Sequence, residues 1–176
     1  MNPISRVVLL GALALTQACL SAIAADNAVL KSHSGDLVAL EGDQLVPFKA
    51  SSTAPYTILY FGAGWCPDCR RFSPSLVKAY DNQDSHNKRF EVLLISRDRD
   101  SEGMLKYMRS EKMRWPAVAF NKAKDRDLNR FYSGHGIPCL TLVDQAGHIL
   151  IQSKDDQDGQ EVLARIEQLV KTAPEK

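Results

Sequence analysis

Two short, nearly unbroken apolar runs dominate the middle of the chain: Tyr56-Thr57-Ile58-Leu59-Tyr60-Phe61 and Phe90-Glu91-Val92-Leu93-Leu94-Ile95-Ser96. They lack the alternation of a half-exposed strand and fit strands covered on both faces. Between them Phe72, Leu76 and Tyr80 recur at four-residue spacing, which marks one buried face of a helix, and Pro74 inside that helix predicts a kink. A further helix is predicted from about Ser101 to Glu111 with Met104, Leu105 and Met108 inward. Its two methionines also suggest copper, but four apart is ordinary helix spacing and core packing is the stronger reading.

The flanks carry turn signals. Leu37-Val38-Ala39-Leu40 and Leu45-Val46-Pro47-Phe48 enclose Glu41-Gly42-Asp43-Gln44, a hairpin with Gly42 and Asp43 in the turn, and Pro47 confines the second strand to a sheet edge. Residues 26–36 read as an entry arm with one short strand around Ala28 to Lys31. Downstream, Asp125 to Tyr132 is a short helix with Leu128, Phe131 and Tyr132 apolar. Leu140 to Val143 and His148 to Ile151 form a second hairpin around Asp144-Gln145-Ala146-Gly147, with Gly147 placed for positive φ. An amphipathic helix from about Asp158 to Lys171 closes the pattern, with Val162, Leu163, Ile166, Leu169 and Val170 on one face. The order of elements is α/β, without internal repeats.

A length of 176 residues, 44% hydrophobic and 24% charged, suits one domain with a real core. Lys and Arg total 22 against 21 Asp and Glu, a balance that gives no reason to expect nucleic acid or an acidic partner. Nothing in the chain speaks to oligomeric state. The first segment stands apart. Arg6 followed by the apolar run Val7 to Leu15 and then Ala22-Ile23-Ala24 describes a secretory signal peptide over residues 1–24, leaving a domain of residues 25–176. The run falls short of the roughly 20 apolar residues of a membrane span. A lipoprotein anchored at Cys19 is the minor alternative, because Leu15-Thr16-Gln17-Ala18-Cys19 places Leu one position early. A periplasmic or secreted location follows, where a pair of cysteines sits oxidised unless a partner reduces it.

The candidate chemistry lies at Gly62-Ala63-Gly64-Trp65-Cys66-Pro67-Asp68-Cys69-Arg70, where the first apolar run enters its helix. Thiolate, not thiol, is the nucleophile, and a helix N-terminus favours the anion, most of all at Cys66. Cys69, one turn on, can attack a mixed disulfide at Cys66, so the pair can cycle between dithiol and disulfide. Pro67 fits the first helical turn, and Gly62-Ala63-Gly64 is expected to let the backbone turn tightly. A structural zinc site needs about four ligands and has no second pair here; a static disulfide over two residues gains little from loop closure.

These residues, with Arg71-Phe72-Ser73-Pro74, Phe90-Glu91-Val92, Asp98, Trp115-Pro116-Ala117-Val118-Ala119-Phe120 and Gly136-Ile137-Pro138, resemble the thioredoxin fold over residues 37–171, and more closely its tryparedoxin and nucleoredoxin branch. The resemblance implies a central mixed β-sheet flanked by helices, here with an N-terminal β-hairpin extension. It also implies that Cys66 attacks, Cys69 resolves, Trp65 belongs to the contact surface, and Pro138 is a cis-proline against the disulfide. Ile137 would then offer its backbone to a client chain. Pro74 matches the kink proline. Tyr60 stands where many thioredoxins carry a buried carboxylate that assists the resolving thiol, so a phenol, a water or Asp68 must serve. Asp68 between the thiols disfavours thiolate and argues for a reductant.

Cys139, after the cis-proline position, is either a small buried residue opening a strand or a third redox thiol; a metal held by Cys66, Cys69, Cys139 and His135 is a further reading, with none the expectation. The functional expectation is an exported thiol-disulfide oxidoreductase, reducing protein disulfides, with no cofactor beyond the Cys66–Cys69 pair. Its partners are protein disulfide or thiol clients and, on thermodynamic grounds, a membrane electron donor. The alternative is a non-catalytic thioredoxin-like module that uses the two cysteines as a metal or partner site.

Overall fold

The computed structural model describes residues 27–50, 52, 54–84, 87–123, 126–154 and 157–173; the signal-peptide reading of residues 1–24 and Cys19 lies outside them. Helix α1 (Ala28–Ser32) is followed by strands β1 (Leu37–Glu41), β2 (Gln44–Pro47) and β3 (Tyr56–Gly62). Then come α2 (Pro67–Asp81), β4 (Phe90–Ser96), α3 (Ser101–Ser110) and β5 (Ala117–Val118). After a 3₁₀ turn at Phe120–Lys122 the chain ends in α4 (Arg126–Asn129), β6 (Cys139–Asp144), β7 (Ile149–Gln152) and α5 (Gly159–Thr172). Among the described residues, no helix is long and apolar enough to cross a membrane.

The seven strands form one mixed sheet in the order β2-β1-β5-β4-β3-β6-β7. Strand β3 pairs in parallel with β4, Tyr56 opposite Phe90 through Gly62 opposite Ser96, and antiparallel with β6, Tyr56 opposite Asp144 through Phe61 opposite Cys139. The β1–β2 hairpin turns through Gly42, at φ 56, and extends the sheet by pairing Leu37 with Val118. Pro47 lies on the edge strand, where its missing N–H breaks no ladder.

The apolar run of β3 feeds two cores, because alternate side chains leave opposite faces of a strand. Ile58 and Tyr60 join one cluster with Phe72, Leu76, Met108 and Trp115, whereas Leu59 and Phe61 join the other with Leu93, Ile95, Leu128 and Phe131. Strands β3, β4 and β5 lie side by side in chain order. Two successive right-handed crossovers in one direction put their helices on the same face. Accordingly α2 and α3 both bury residues in the first cluster, together with α5.

Three local expectations change. The strand expected around Ala28–Lys31 is α1: the Asn27 side chain accepts the N–H groups of Val29 and Leu30 at 3.1 and 3.4 Å, and the cap turns both residues into the second cluster. In α3 the inward set is Met104, Tyr107 and Met108, with Leu105 only half-buried. The short helix expected from Asp125 to Tyr132 reaches only Asn129, and Asp125 lies outside the described residues.

Candidate active site

Strand β3 delivers the two cysteines to the carboxyl end of the sheet, where open α/β sheets hold their ligands. Cys66 is the N-cap of α2 and Pro67 its first residue. The Cys66 sulfur accepts the Cys69 N–H at 3.5 Å, so one of the unpaired donors of the helix start is aimed at it. Cys66 retains 6% exposure and Cys69 none, which leaves Cys66 as the sulfur of the pair that can be reached from outside. Both are thiols here. Burial pushes the Cys69 thiol from 9.0 up to about 12, opposed by the Ala63 backbone and by a hydrogen bond from Tyr60.

The bond between Ile137 and Pro138 is cis, and the Ile137 carbonyl accepts from the Cys66 thiol at 3.5 Å. A cleft of about 500 Å³ opens beside this contact, lined by Asp68, Phe72, His135, Ile137, Pro138 and the start of α5. On the other side of the pair Trp65 is 52% exposed, and its ring N–H donates to the Arg97 carbonyl at 3.0 Å. The Asp98 carboxylate accepts the Gly64 N–H at 2.9 Å and the Ser96 hydroxyl at 2.8 Å, which pins the loop before Trp65 to the end of β4. Burial raises the pKa of Asp98, against these two hydrogen bonds.

Asp68 is exposed and paired with Arg71. It is not among the groups that shift Cys69. The argument for a reductant that rests on an unbalanced carboxylate between the thiols therefore does not hold in the structure.

Tyr60 is fully buried beneath the pair. Its hydroxyl lies 2.7 Å from that of Tyr107 and 3.2 Å from that of Ser73; Ser73 and Tyr107 are 2.6 Å apart, and Ser73 donates to the Cys69 carbonyl at 2.8 Å. Ser73 and Tyr107 were not anticipated. The available signal was a serine on the buried face of α2, beside Phe72 and Leu76, where a hydroxyl needs a partner.

The role assigned to the glycines also changes. Neither Gly62 nor Gly64 has positive φ. Instead, a Cβ on Gly62 would come within 2.7 Å of the Tyr60 ring and hydroxyl, and one on Gly64 within 3.0 Å of Tyr107 Cβ. The two glycines make room for the two phenols.

Cys139 does open β6, but opposite Phe61, so its side chain packs in the second cluster on the other face of the sheet, 3.5 Å from the Ser133 hydroxyl. Cys66 and Cys69 belong to the first cluster. The structure thus separates Cys139 from the pair, and the third-thiol reading fails on strand alternation. Among the described residues, no group of three or more His, Cys, Asp or Glu is arranged to hold a metal ion.

A family model described as Thioredoxin-like matches residues 55–149, which span β3 to the start of β7. The chain belongs to the thioredoxin-like family. Within it, the tryparedoxin and nucleoredoxin branch is the nearer likeness. The Arabidopsis thaliana protein named Probable nucleoredoxin 1 is 39% identical over 127 residues, 70% of this chain but 21% of that protein. A tryparedoxin II structure complexed with glutathionylspermidine is 30% identical with a TM-score of 0.59, covering 83% of this chain and 99% of that one. Tryparedoxin from Trypanosoma brucei is 28% identical with a TM-score of 0.59, covering 78% and 92%. This thioredoxin-like chain therefore spans about a fifth of the curated nucleoredoxins it matches, yet nearly the whole of a tryparedoxin.

Proposed function

We propose that the chain is an exported thiol-disulfide oxidoreductase that reduces protein disulfides by cycling Cys66 and Cys69. The observation that carries this reading is the asymmetry of the pair: Cys66 is reachable at the helix N-cap, while Cys69 is fully buried with its thiol pushed up to about 12. The Cys66 thiolate attacks one sulfur of a client disulfide, the client S–S bond breaks, and the departing client sulfur takes up a proton. Cys69 then loses its proton and attacks the Cys66 sulfur; the second client sulfur leaves, two electrons have passed to the client, and the Cys66–Cys69 disulfide remains.

Ile137 and Pro138 border the client cleft, and the exposed Trp65 extends the contact surface on the other side. Tyr60 supplies the hydroxyl that a buried carboxylate gives in other thioredoxins. The reducing direction is the part of this reading that the potential of the pair decides. Export rests on the pattern of residues 1–24, and in an oxidising compartment regeneration needs a membrane-borne electron donor.

The deciding experiment is the reduction potential of the pair, equilibrated against graded dithiothreitol with thiol trapping. A value near about −270 mV or below supports a reductant, and one near about −120 mV makes the chain an oxidant. The absence of any two-electron transition would leave a binding module. Cys69→Ser should trap a client on Cys66 as a stable mixed disulfide, and Cys66→Ser should trap none.

A further inference from the structure

The two banks of the site, Trp65 on one side of Cys66 and the loop at Ile137 on the other, are both tied to one residue. Arg97, just beyond the end of β4, donates its backbone N–H to the Gly62 carbonyl at 2.8 Å and accepts the Trp65 ring N–H on its own carbonyl at 3.0 Å. Its side chain reaches the second bank. The guanidinium lies over the rings of Phe61 and Tyr132, 5.3 and 4.8 Å from their centres, and donates to the Asn129 side chain at 2.9 Å. The Tyr132 ring is also 5.3 Å from that of Phe61, so it is held by an aromatic face and a cation together. A planar, delocalised cation suits such a contact.

From that ring the Tyr132 hydroxyl accepts the Gly136 N–H at 3.2 Å. One residue further on, the Ile137 carbonyl accepts from the Cys66 thiol at 3.5 Å. The segment between Tyr132 and Ile137 needs a hold of this kind. Gly134 and Gly136 both have positive φ, at 87 and 99, and a Cβ on either would meet nothing within 4 Å, so packing does not fix the path of the loop at these two points. A ring that only filled space beside Phe61 and Arg97 would have no use for its hydroxyl. Here the hydroxyl is the atom that reaches the loop.

We propose that Tyr132, held by Arg97, is a positioning residue for protein clients: its hydroxyl fixes Gly136, and through it the Ile137 backbone, where an extended client chain lies beside Cys66. The inference rests on the dithiol cycle proposed above and adds to it two residues that touch neither the reacting sulfurs nor the client. A loop already in place when the client arrives removes part of the ordering cost of binding, so the effect falls on affinity rather than on the exchange step. It falls on a client with a chain to lay along Ile137. A small disulfide, which offers Cys66 little more than its two sulfurs, gains much less from it.

The test compares two substrates, insulin as a protein disulfide and hydroxyethyl disulfide as a small one, with dithiothreitol as the reductant. Turnover is followed for the unsubstituted chain, for Tyr132→Phe and for Arg97→Met. Tyr132→Phe keeps the ring and removes only the acceptor. Arg97→Met keeps an unbranched stem and removes the cation, together with an Nε that is buried without a hydrogen-bond partner among the described residues. In each variant KM for insulin should rise by about 3- to 10-fold, the worth of one ordinary hydrogen bond, with kcat held and a smaller rise on hydroxyethyl disulfide. An insulin KM that stays where it was, or an equal rise on both substrates, overturns the positioning role, and Arg97→Met decides it if Tyr132→Phe does not fold. An unsubstituted chain that turns over hydroxyethyl disulfide but not insulin keeps the dithiol cycle and overturns the positioning of protein clients. One that turns over neither above the dithiothreitol blank overturns the cycle and the positioning role with it.

Discussion

Replacing Gly62 by Ala tests the packing around Tyr60 directly. The new Cβ would lie 2.7 Å from both Tyr60 Cζ and its hydroxyl oxygen, closer than side-chain atoms approach one another. The ring has little room to yield: it is fully buried, sits edge-on to Phe72 with centroids 5.6 Å apart, and is held by Ser73 and Tyr107. Overpacking of this kind costs about 1–3 kcal/mol. Loosening one of the hydroxyl contacts costs about 1 kcal/mol more. Against this, Gly to Ala at an ordinary φ stiffens the unfolded chain and stabilises by about 0.4–1 kcal/mol. The net expectation is a loss of about 1–3 kcal/mol, read from urea unfolding of the reduced protein with an unchanged denaturant slope. Gly35→Ala is the control, since its Cβ would meet nothing within 4 Å and only the stiffening remains. Adding Tyr60→Leu, which vacates the contested space, should remove most of the Gly62→Ala effect. A Gly62→Ala protein as stable as the unsubstituted chain would refute the close-packing argument and with it the reason given for the glycine.

Two further outcomes follow from the site. The Cys69 thiol keeps its proton in the folded protein over a range where the unfolded chain has released it, so its contribution to stability is full below about pH 9 and is lost as pH rises toward about 12; the raised Tyr60 and Tyr107 phenols act with the same sign above about pH 10. Urea unfolding of the reduced protein at increasing alkaline pH should show this decline, with a shallower slope in Cys69→Ala, and equal slopes would contradict it. Trp65→Ala removes an exposed ring and its hydrogen bond to the Arg97 carbonyl, so it should change stability by less than about 1 kcal/mol while raising KM for a protein disulfide; a drop in stability with KM unchanged would make Trp65 a structural residue.

Local signals were legible. The unbroken apolar runs at 56–61 and 90–96 became β3 and β4, and the helix after the cysteines was readable from Phe72, Leu76 and Tyr80. The hairpin at Gly42 was equally plain, because a two-residue turn is specified by its own residues. Readings that depended on where a side chain points fared worse. Asp68 was placed correctly in sequence next to the thiols, but its charge is balanced by Arg71 one helical turn on. Cys139 is adjacent to Pro138 in sequence yet faces the opposite core, because successive residues of a strand leave opposite faces. Asn27 caps a helix where the sequence pattern suggests a short strand, because its side chain satisfies the first free N–H groups.

By itself the sequence determined that a strand would carry two cysteines, two residues apart, to the start of a helix, since helix capping, strand propensity and turn chemistry act over a few residues. It could not bring Tyr107 to Tyr60, 47 positions away, or turn Ser73 into their shared partner. Helical periodicity says which face of α3 is buried but not against what. That was decided by the strand order β5-β4-β3, which sends both crossovers over the same face of the sheet and lays α3 alongside the helix that carries the two cysteines, so that hydroxyls with no local relation close on one another beneath Cys69.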